Sequence, residues 1–331
     1  MSKRSSSLLA SLVFALMLVG VIEPATADAG GVVRFATLPK PGPGFPEGIA
    51  ADAAGRIYVS TFDFSTDNVV YVFNRNGHLA ETISLPGVVP LGLEFDAAGN
   101  LYVANFGGGN VLKFVPPFNS GSLPAQVFPV CAGFPTCGLN AITFDAAGDL
   151  YVSDSFGGNV FKLDLPAGTL STFVSDELLK PAPPPHGFPG FGANGLAFDT
   201  VGANLYIANT ADDRILKYNL ASAALSTFAE SVNGADGIAF DRKGRLWVAA
   251  NQADELVALN RNGRVVERRG SFEGVGRDGA AKGLLFPASI VISRGSIYVT
   301  NLALALTPAV GDEPEEDVTT YTVSRIPLHG H

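Results

Sequence analysis

The chain has 331 residues, 47% of them hydrophobic and 16% charged, with a formal net charge of −9 at pH 7. No basic stripe runs along it, which argues against nucleic acid and against an anionic membrane surface as partners. An acidic balance is compatible with a cation site but demonstrates none.

Lys3 and Arg4 open the chain, and the uncharged apolar run "LLASLVFALMLVGVI" occupies residues 8–22. Small residues at Ala25, Ala27 and Ala29 then offer cleavage points, so residues 1–29 have the layout of a secretory signal peptide. The run is short for a membrane span, which needs roughly 20 residues. The expected mature protein is therefore residues 30–331, a single domain that is secreted or periplasmic and does not cross a membrane. Removing the leader takes off two basic residues (Lys3, Arg4) and two acidic ones (Glu23, Asp28), so the acidity stays.

The stretch "GGVVRFATL" over residues 30–38 reads as a strand with no hairpin of its own. One phrase then recurs: "PEGIAADAAGRIYVST" from Pro46, "PLGLEFDAAGNLYVAN" from Pro90 and "LNAITFDAAGDLYVSD" from Leu139. It continues as "ANGLAFDTVGANLYIAN" from Ala193, "ADGIAFDRKGRLWVAA" from Ala235 and a degenerate "PASIVISRGSIYVTN" from Pro287. Each copy is a short apolar strand, a tight turn on Asp-x-x-Gly and a second strand carrying Tyr or Trp. A third alternating strand such as "NVVYVFN" or "RILKYNL" follows, then a weaker fourth such as "LAETISL". Gly and Pro punctuate the junctions, and no stretch sustains a helical period. Four antiparallel strands repeating every 40–50 residues or so predict an all-β fold, a six-bladed β-propeller. The last stretch, "TTYTVSRIPL" over residues 319–328, reads as a third strand lacking a fourth. Pairing it with the N-terminal strand would complete blade six and close the ring.

The only cysteines, Cys131 and Cys137, stand in "CAGFPTC". An oxidising compartment and an even count favour a disulfide that staples this loop. A metal-binding thiol pair would need further soft ligands, which the neighbouring sequence lacks.

The residue five before each turn Asp (or Ser293) varies: Glu47, Leu91, Asn140, Asn194, Asp236 and Ala288. The first strand of every propeller blade lines the central channel, so these six positions should meet on the axis at one depth. Four of them carry oxygen donors, two carboxylates and two amides, a hard set suited to Ca²⁺ and less readily to Mg²⁺. Asn-Gly and Asp-Gly are also ordinary turn dipeptides. Turn chemistry does not account for Glu47, nor for Asn140, which precedes Ala141. The long connections fall on the face where these strands begin, including "VFPVCAGFPTCG" and "KPAPPPHGFPGFG". Irregular loops gathered on one face of a rigid scaffold are where binding residues usually sit. Leu91 and Ser289 are candidates for the substrate pocket on this face.

After the second strand come Thr61, Asn105, Asp154, Asn209 and Asn301, which read as strand-ending Asx and hydroxyl turns. Asp154 and Asn209 are close enough to that face to be pocket candidates. His186 could lean over the channel from its Pro-rich loop, against the competing reading of a solvated loop histidine. His78, His329 and His331 look like turn and tail residues. There is no Gly-x-Ser-x-Gly elbow, and "GDEPEED" over residues 311–317 lacks EF-hand spacing and reads as a solvated loop.

"PEGIA", "ANGLAFD", "ADGIAFDRKGRLWVA" and "PASIVISRGSIYVTN" together resemble the senescence-marker-protein/gluconolactonase/luciferin-regenerating-enzyme family. The resemblance implies a six-bladed propeller with a divalent ion on its axis and a calcium-dependent lactone hydrolase activity. It puts Glu47, Asn194 and Asp236 on the family's metal ligands and Asn140 on a fourth ligand or substrate-side position. Asp236 would be the general base or nucleophile. The sequence departs from the family in blade three, where Leu139 and Ala141 flank Asn140 and the sugar-lactone arginine is missing. The blade phrases also resemble NHL repeats, which leaves a second reading: a non-catalytic propeller that binds a protein, glycan or cell-wall partner through its loop-rich face.

Overall fold

The recurring Asp-x-x-Gly turn shows how each blade is built. Asp52 Oδ1 accepts from the Arg56 amide at 2.8 Å, while the Gly55 amide donates to the Asp52 carbonyl at 2.9 Å with Gly55 at φ 79°. The other carboxylate oxygen serves the aromatic residue of the second strand: Tyr151 Oη donates to Asp145 Oδ2 at 3.0 Å, and Trp247 Nε1 to Asp241 Oδ2 at 3.0 Å. One side chain thus closes the turn and satisfies the polar tip of a buried ring, which is why Asp and Tyr or Trp recur together.

The computed structural model describes residues 31–40, 42, 44–181, 190–306 and 313–328. The expected signal peptide lies outside the described residues. Blade one comprises β2 (Pro46–Ala51), β3 (Ile57–Thr61), β4 (Asn68–Phe73) and β5 (Leu79–Leu85). Blade two comprises β6 (Pro90–Phe95), β7 (Leu101–Asn105), β8 (Asn110–Phe114) and β9 (Gln126–Pro129). In blade three these are β10 (Leu139–Phe144), β11 (Leu150–Asp154), β12 (Asn159–Asp164) and β13 (Thr169–Ser175). Blade four has β14 (Ala193–Phe198), β15 (Asn204–Asn209), β16 (Arg214–Asn219) and β17 (Ala224–Ala229). Blade five has β18 (Ala235–Phe240), β19 (Leu246–Ala250), β20 (Glu255–Leu259) and β21 (Val265–Arg269).

Blade six is made from both ends of the chain. β24 (Pro287–Ser293), β25 (Ser296–Asn301) and β26 (Thr322–Pro327) are completed by β1 (Val33–Thr37), which pairs antiparallel with β26. The protein is a six-bladed β-propeller closed in this way, as its repeats predict. The long link into blade six is less irregular than its sequence suggests: it folds into a small hairpin of β22 (Phe272–Val275) and β23 (Ala281–Gly283). Among the described residues no helix is long and apolar enough to cross a membrane.

Hydrophobic clusters fill the space between neighbouring blades, and one of them seals the closure. There Ala36 and Leu38 pack with Ile57, Phe73, Tyr298 and Val323, joining the first strand to blades one and six.

The glycine that follows four of the six variable positions has a packing role rather than a turn role. A Cβ on Gly48 would lie 2.0 Å from the Leu91 carbonyl oxygen, and one on Gly195 would lie 2.2 Å from the Asp236 carbonyl oxygen. Asn194 and Asp236 stand inside β14 and β18, beside register shifts in the pairing with the second strand. Glycine lets consecutive inner strands close on the axis. Turn propensity therefore does not explain Asn-Gly and Asp-Gly here.

Candidate functional site

Five of the six variable positions, Glu47, Leu91, Asn140, Asn194 and Asp236, line one pocket at the mouth of the channel. Ala288, the sixth, is buried against Phe286 and Leu302, and these two line the pocket in its stead. The four polar side chains come from blades one, three, four and five, and all are buried.

A second ring holds the amides in place. It is formed by the residue directly after each second strand, including Ser155, Thr210 and Asn251. Asn140 Nδ2 donates to Ser155 Oγ at 3.2 Å, and Ser155 Oγ donates to the Ala193 carbonyl of blade four at 2.8 Å. Asn194 Nδ2 donates to Thr210 Oγ1 at 2.9 Å, and Thr210 Oγ1 donates to the Ala235 carbonyl of blade five at 2.7 Å. Each relay anchors an amide NH₂ and turns its oxygen away from the hydroxyl. Asn251 Nδ2 donates to Asp236 Oδ2 at 3.1 Å.

Three oxygens on this floor lack partners: Glu47 Oε2, Asp236 Oδ1 and Asn251 Oδ1 are buried with no hydrogen bond. Burial drives the Glu47 carboxyl well above its usual range, and the charge of Asp236 adds to the effect. Burial also pushes Asp236 up to about 7, against the pull of the Asn251 and Asn194 amides. Two buried carboxyls raised in this way, with unpartnered acceptors between blades, form a floor short of positive charge. Among the described residues no three His, Cys, Asp or Glu side chains cluster as metal ligands. The donors here are two carboxylates and neutral amides, a set that fits a hard divalent cation.

Other sequence-derived candidates do not reach the pocket. Asp154 Oδ1 accepts from the backbone amides of Gly138, Phe156 and Gly157 at 3.0–3.2 Å, and Oδ2 accepts from Asn159 Nδ2. Asn209 Nδ2 donates to the Leu178 and Lys180 carbonyls, and its Oδ1 accepts from the Asp212 amide. Both side chains are consumed in shaping loops, so neither is a pocket residue. Thr61, Asn105 and Asn301 are engaged in the same way. Ser289 faces the opposite half of the channel, a separate cavity that Glu94 and Ile290 also line. His186 lies outside the described residues. Cys131 and Cys137 are joined, with Cα atoms 6.3 Å apart.

Residues 190–269 match the family described as SMP-30/Gluconolactonase/LRE-like region. That segment runs from the pocket residue Gly190 through blades four and five, and it carries Asn194 and Asp236. No curated protein sequence matches the chain. Solved structures match almost its whole length. A luciferin-regenerating enzyme superposes with a TM-score of 0.65 at 14% identity, covering 87% of this chain and 92% of that one. A gluconolactonase from Xanthomonas campestris gives 0.62 at 14%, covering 90% and 89%. The calcium-binding protein regucalcin from Agrobacterium tumefaciens gives 0.62 at 13%, covering 89% and 94%. At these identities the similarity establishes the fold.

Proposed function

We propose that the protein is a calcium-dependent hydrolase of lactones or related esters, with Glu47, Asn140, Asn194 and Asp236 holding the ion. One observation carries this reading: side chains from four separate blades converge on one floor where Glu47 Oε2 and Asp236 Oδ1 are buried without partners. The family match over blades four and five, and the lactonase and calcium-binding names among the similar structures, agree with it. A bound divalent cation would supply Lewis-acid polarisation of a substrate carbonyl. Asp236 is the general base: it takes a proton from a water whose oxygen bonds to the carbonyl carbon. As the ester C–O bond breaks, that proton passes to the departing alkoxide, and the product is a hydroxy acid. The Thr210 and Ser155 relays keep the neutral donors in register, so little reorganisation accompanies binding.

Thermal unfolding with chelator and then with calcium is the first test. A ligand that binds only the folded state raises the transition, whereas no shift sinks the reading and favours a protein- or glycan-binding propeller. A shift without turnover on a lactone and ester panel reduces the ion to a structural role. Thr210→Val removes the anchor of Asn194. It is expected to weaken calcium binding by about tenfold or more in a calorimetric titration, with the fold retained. Unaltered affinity would remove Asn194 from the ligand set.

A further inference from the structure

The wall above this floor is unlike the floor. Phe62 and Phe191 face the pocket on one side, and Leu302, Leu304 and Leu306 face it on another. Phe62 and Phe191 belong to a continuous aromatic cluster with Phe64, Phe106, Phe134 and Phe156. Ring centroids are 5.1 Å apart for Phe62 and Phe64, 5.7 Å for Phe64 and Phe134, and 5.5 Å for Phe106 and Phe134. They are 5.6 Å apart for both Phe106 and Phe156 and for Phe156 and Phe191. The rings therefore run without a break from the pocket wall to the outer lip, where Phe64 is 61% and Phe134 is 47% exposed. Exposed aromatic surface of this extent on a protein face marks a place where something apolar binds.

The collar is built to stay in position. Phe134 sits in the loop closed by the Cys131–Cys137 bond, and the buried Phe106 anchors the cluster from below. A rigid aromatic surface binds without first having to be ordered. The chemistry of the pocket is split by depth. Its carboxylates and its amides from Asn140, Asn194 and Asn251 sit at the bottom. Among the described residues that line it there is no Lys, Arg or His. A substrate whose body carried several hydroxyls would place most of them against Phe and Leu, with the exposed Gln252 the one amide outside the buried floor to meet them, which is costly.

We propose that this phenylalanine collar selects lactones or esters bearing an alkyl or aryl substituent and rejects polyhydroxylated ones. The inference rests on the hydrolase reading of the floor: the ester carbonyl faces downward and the apolar substituent lies along the rings.

The test uses two series on the intact protein in calcium. The first is five-membered lactams, which resist hydrolysis, carrying no tail or a propyl, hexyl or nonyl tail, with a hydroxylated sugar lactam as comparison; affinity is read by calorimetry. The second is the matching lactones, read by turnover. Affinity should rise by about fourfold for each methylene that the collar buries. Phe64→Ala, at an exposed position where the fold tolerates truncation, should weaken the hexyl lactam about tenfold and leave the tailless one unchanged. Affinities that ignore tail length, or a sugar lactam that binds as tightly as the hexyl one, overturn the collar even where lactones are hydrolysed. Tail-dependent binding that Phe64→Ala weakens, with no lactone turned over, supports the collar and overturns the hydrolase reading instead.

Discussion

Asp236→Asn lowers lactone turnover by about a thousandfold or more, and at the same time makes the chelated protein harder to unfold. The two effects share one cause. Asp236 is a buried carboxyl whose proton affinity has been raised to about 7 by lost hydration. At pH 8 it is ionised in the fold at a cost of a few kcal/mol, at about 1.4 kcal/mol for each unit of displacement. Asparagine has nearly the same shape and carries no charge. Its oxygen can still accept from Asn251 Nδ2, and no buried charge is left at this position for the fold to carry. The substitution removes a general base and half of the site's charge while relieving the apo fold. A residue kept only for stability would behave in the opposite way, because replacing it would weaken the protein. Steady-state kinetics with calcium, and chemical unfolding with chelator, decide the matter. Retained turnover removes Asp236 from catalysis, and a less stable chelated variant removes the argument from charge.

Much of this site was legible because propeller geometry converts a fixed offset in the repeat into a shared position in space. Counting back from the turn Asp groups Glu47, Asn140, Asn194 and Asp236, and the structure brings those four to one pocket. The count misled where it was applied to the second strand. Asp154 and Asn209 end their strands and aim their polar atoms into loops, whereas the residues one further on, Ser155 and Thr210, turn toward the axis and anchor the amides. Adjacent positions along extended chain point to opposite sides, so a slip of one residue exchanges a structural polar group for a functional one. The same offset in blade five gives Asn251, so this second ring was recoverable from the repeat. Ser289 failed by the same slip of one residue: it follows Ala288, at the position that Gly195 and Gly237 fill in blades four and five, and with them it lines the opposite half of the channel. The aromatic collar had this signature only in part: Phe62 and Phe106 stand at the same place after the second strands of blades one and two. Phe64, Phe134 and Phe191 sit in connections of unequal length, and only the folded ring places them together.

Stability of the chelated protein falls as pH rises from about 4 to about 7, and calcium removes much of that fall. For Asp236 the folded value is about 7, against about 3.9 in an unfolded chain. Glu47 is raised in the same sense. A raised carboxyl means that the unfolded chain gives up its proton first as the pH increases, so deprotonation favours unfolding across the interval between the two values. Below about pH 4 both states are protonated and nothing is lost; above about pH 7 both are ionised and the deficit is complete. Glu94 is pushed to about 7 by burial in the opposite half of the channel, and Asp254 and Glu315 are raised by burial as well. Their contributions follow the same sign, so the total slope is not diagnostic. The difference between calcium and chelator is diagnostic, because only carboxylates at the ion are relieved by it. That gap should be small at pH 5 and widen to a few kcal/mol by pH 8, and Asp236→Asn should narrow it. Unfolding curves at four pH values with saturating calcium or chelator measure it directly. A gap that stays constant across the range would mean that the two buried carboxyls are not at the cation site.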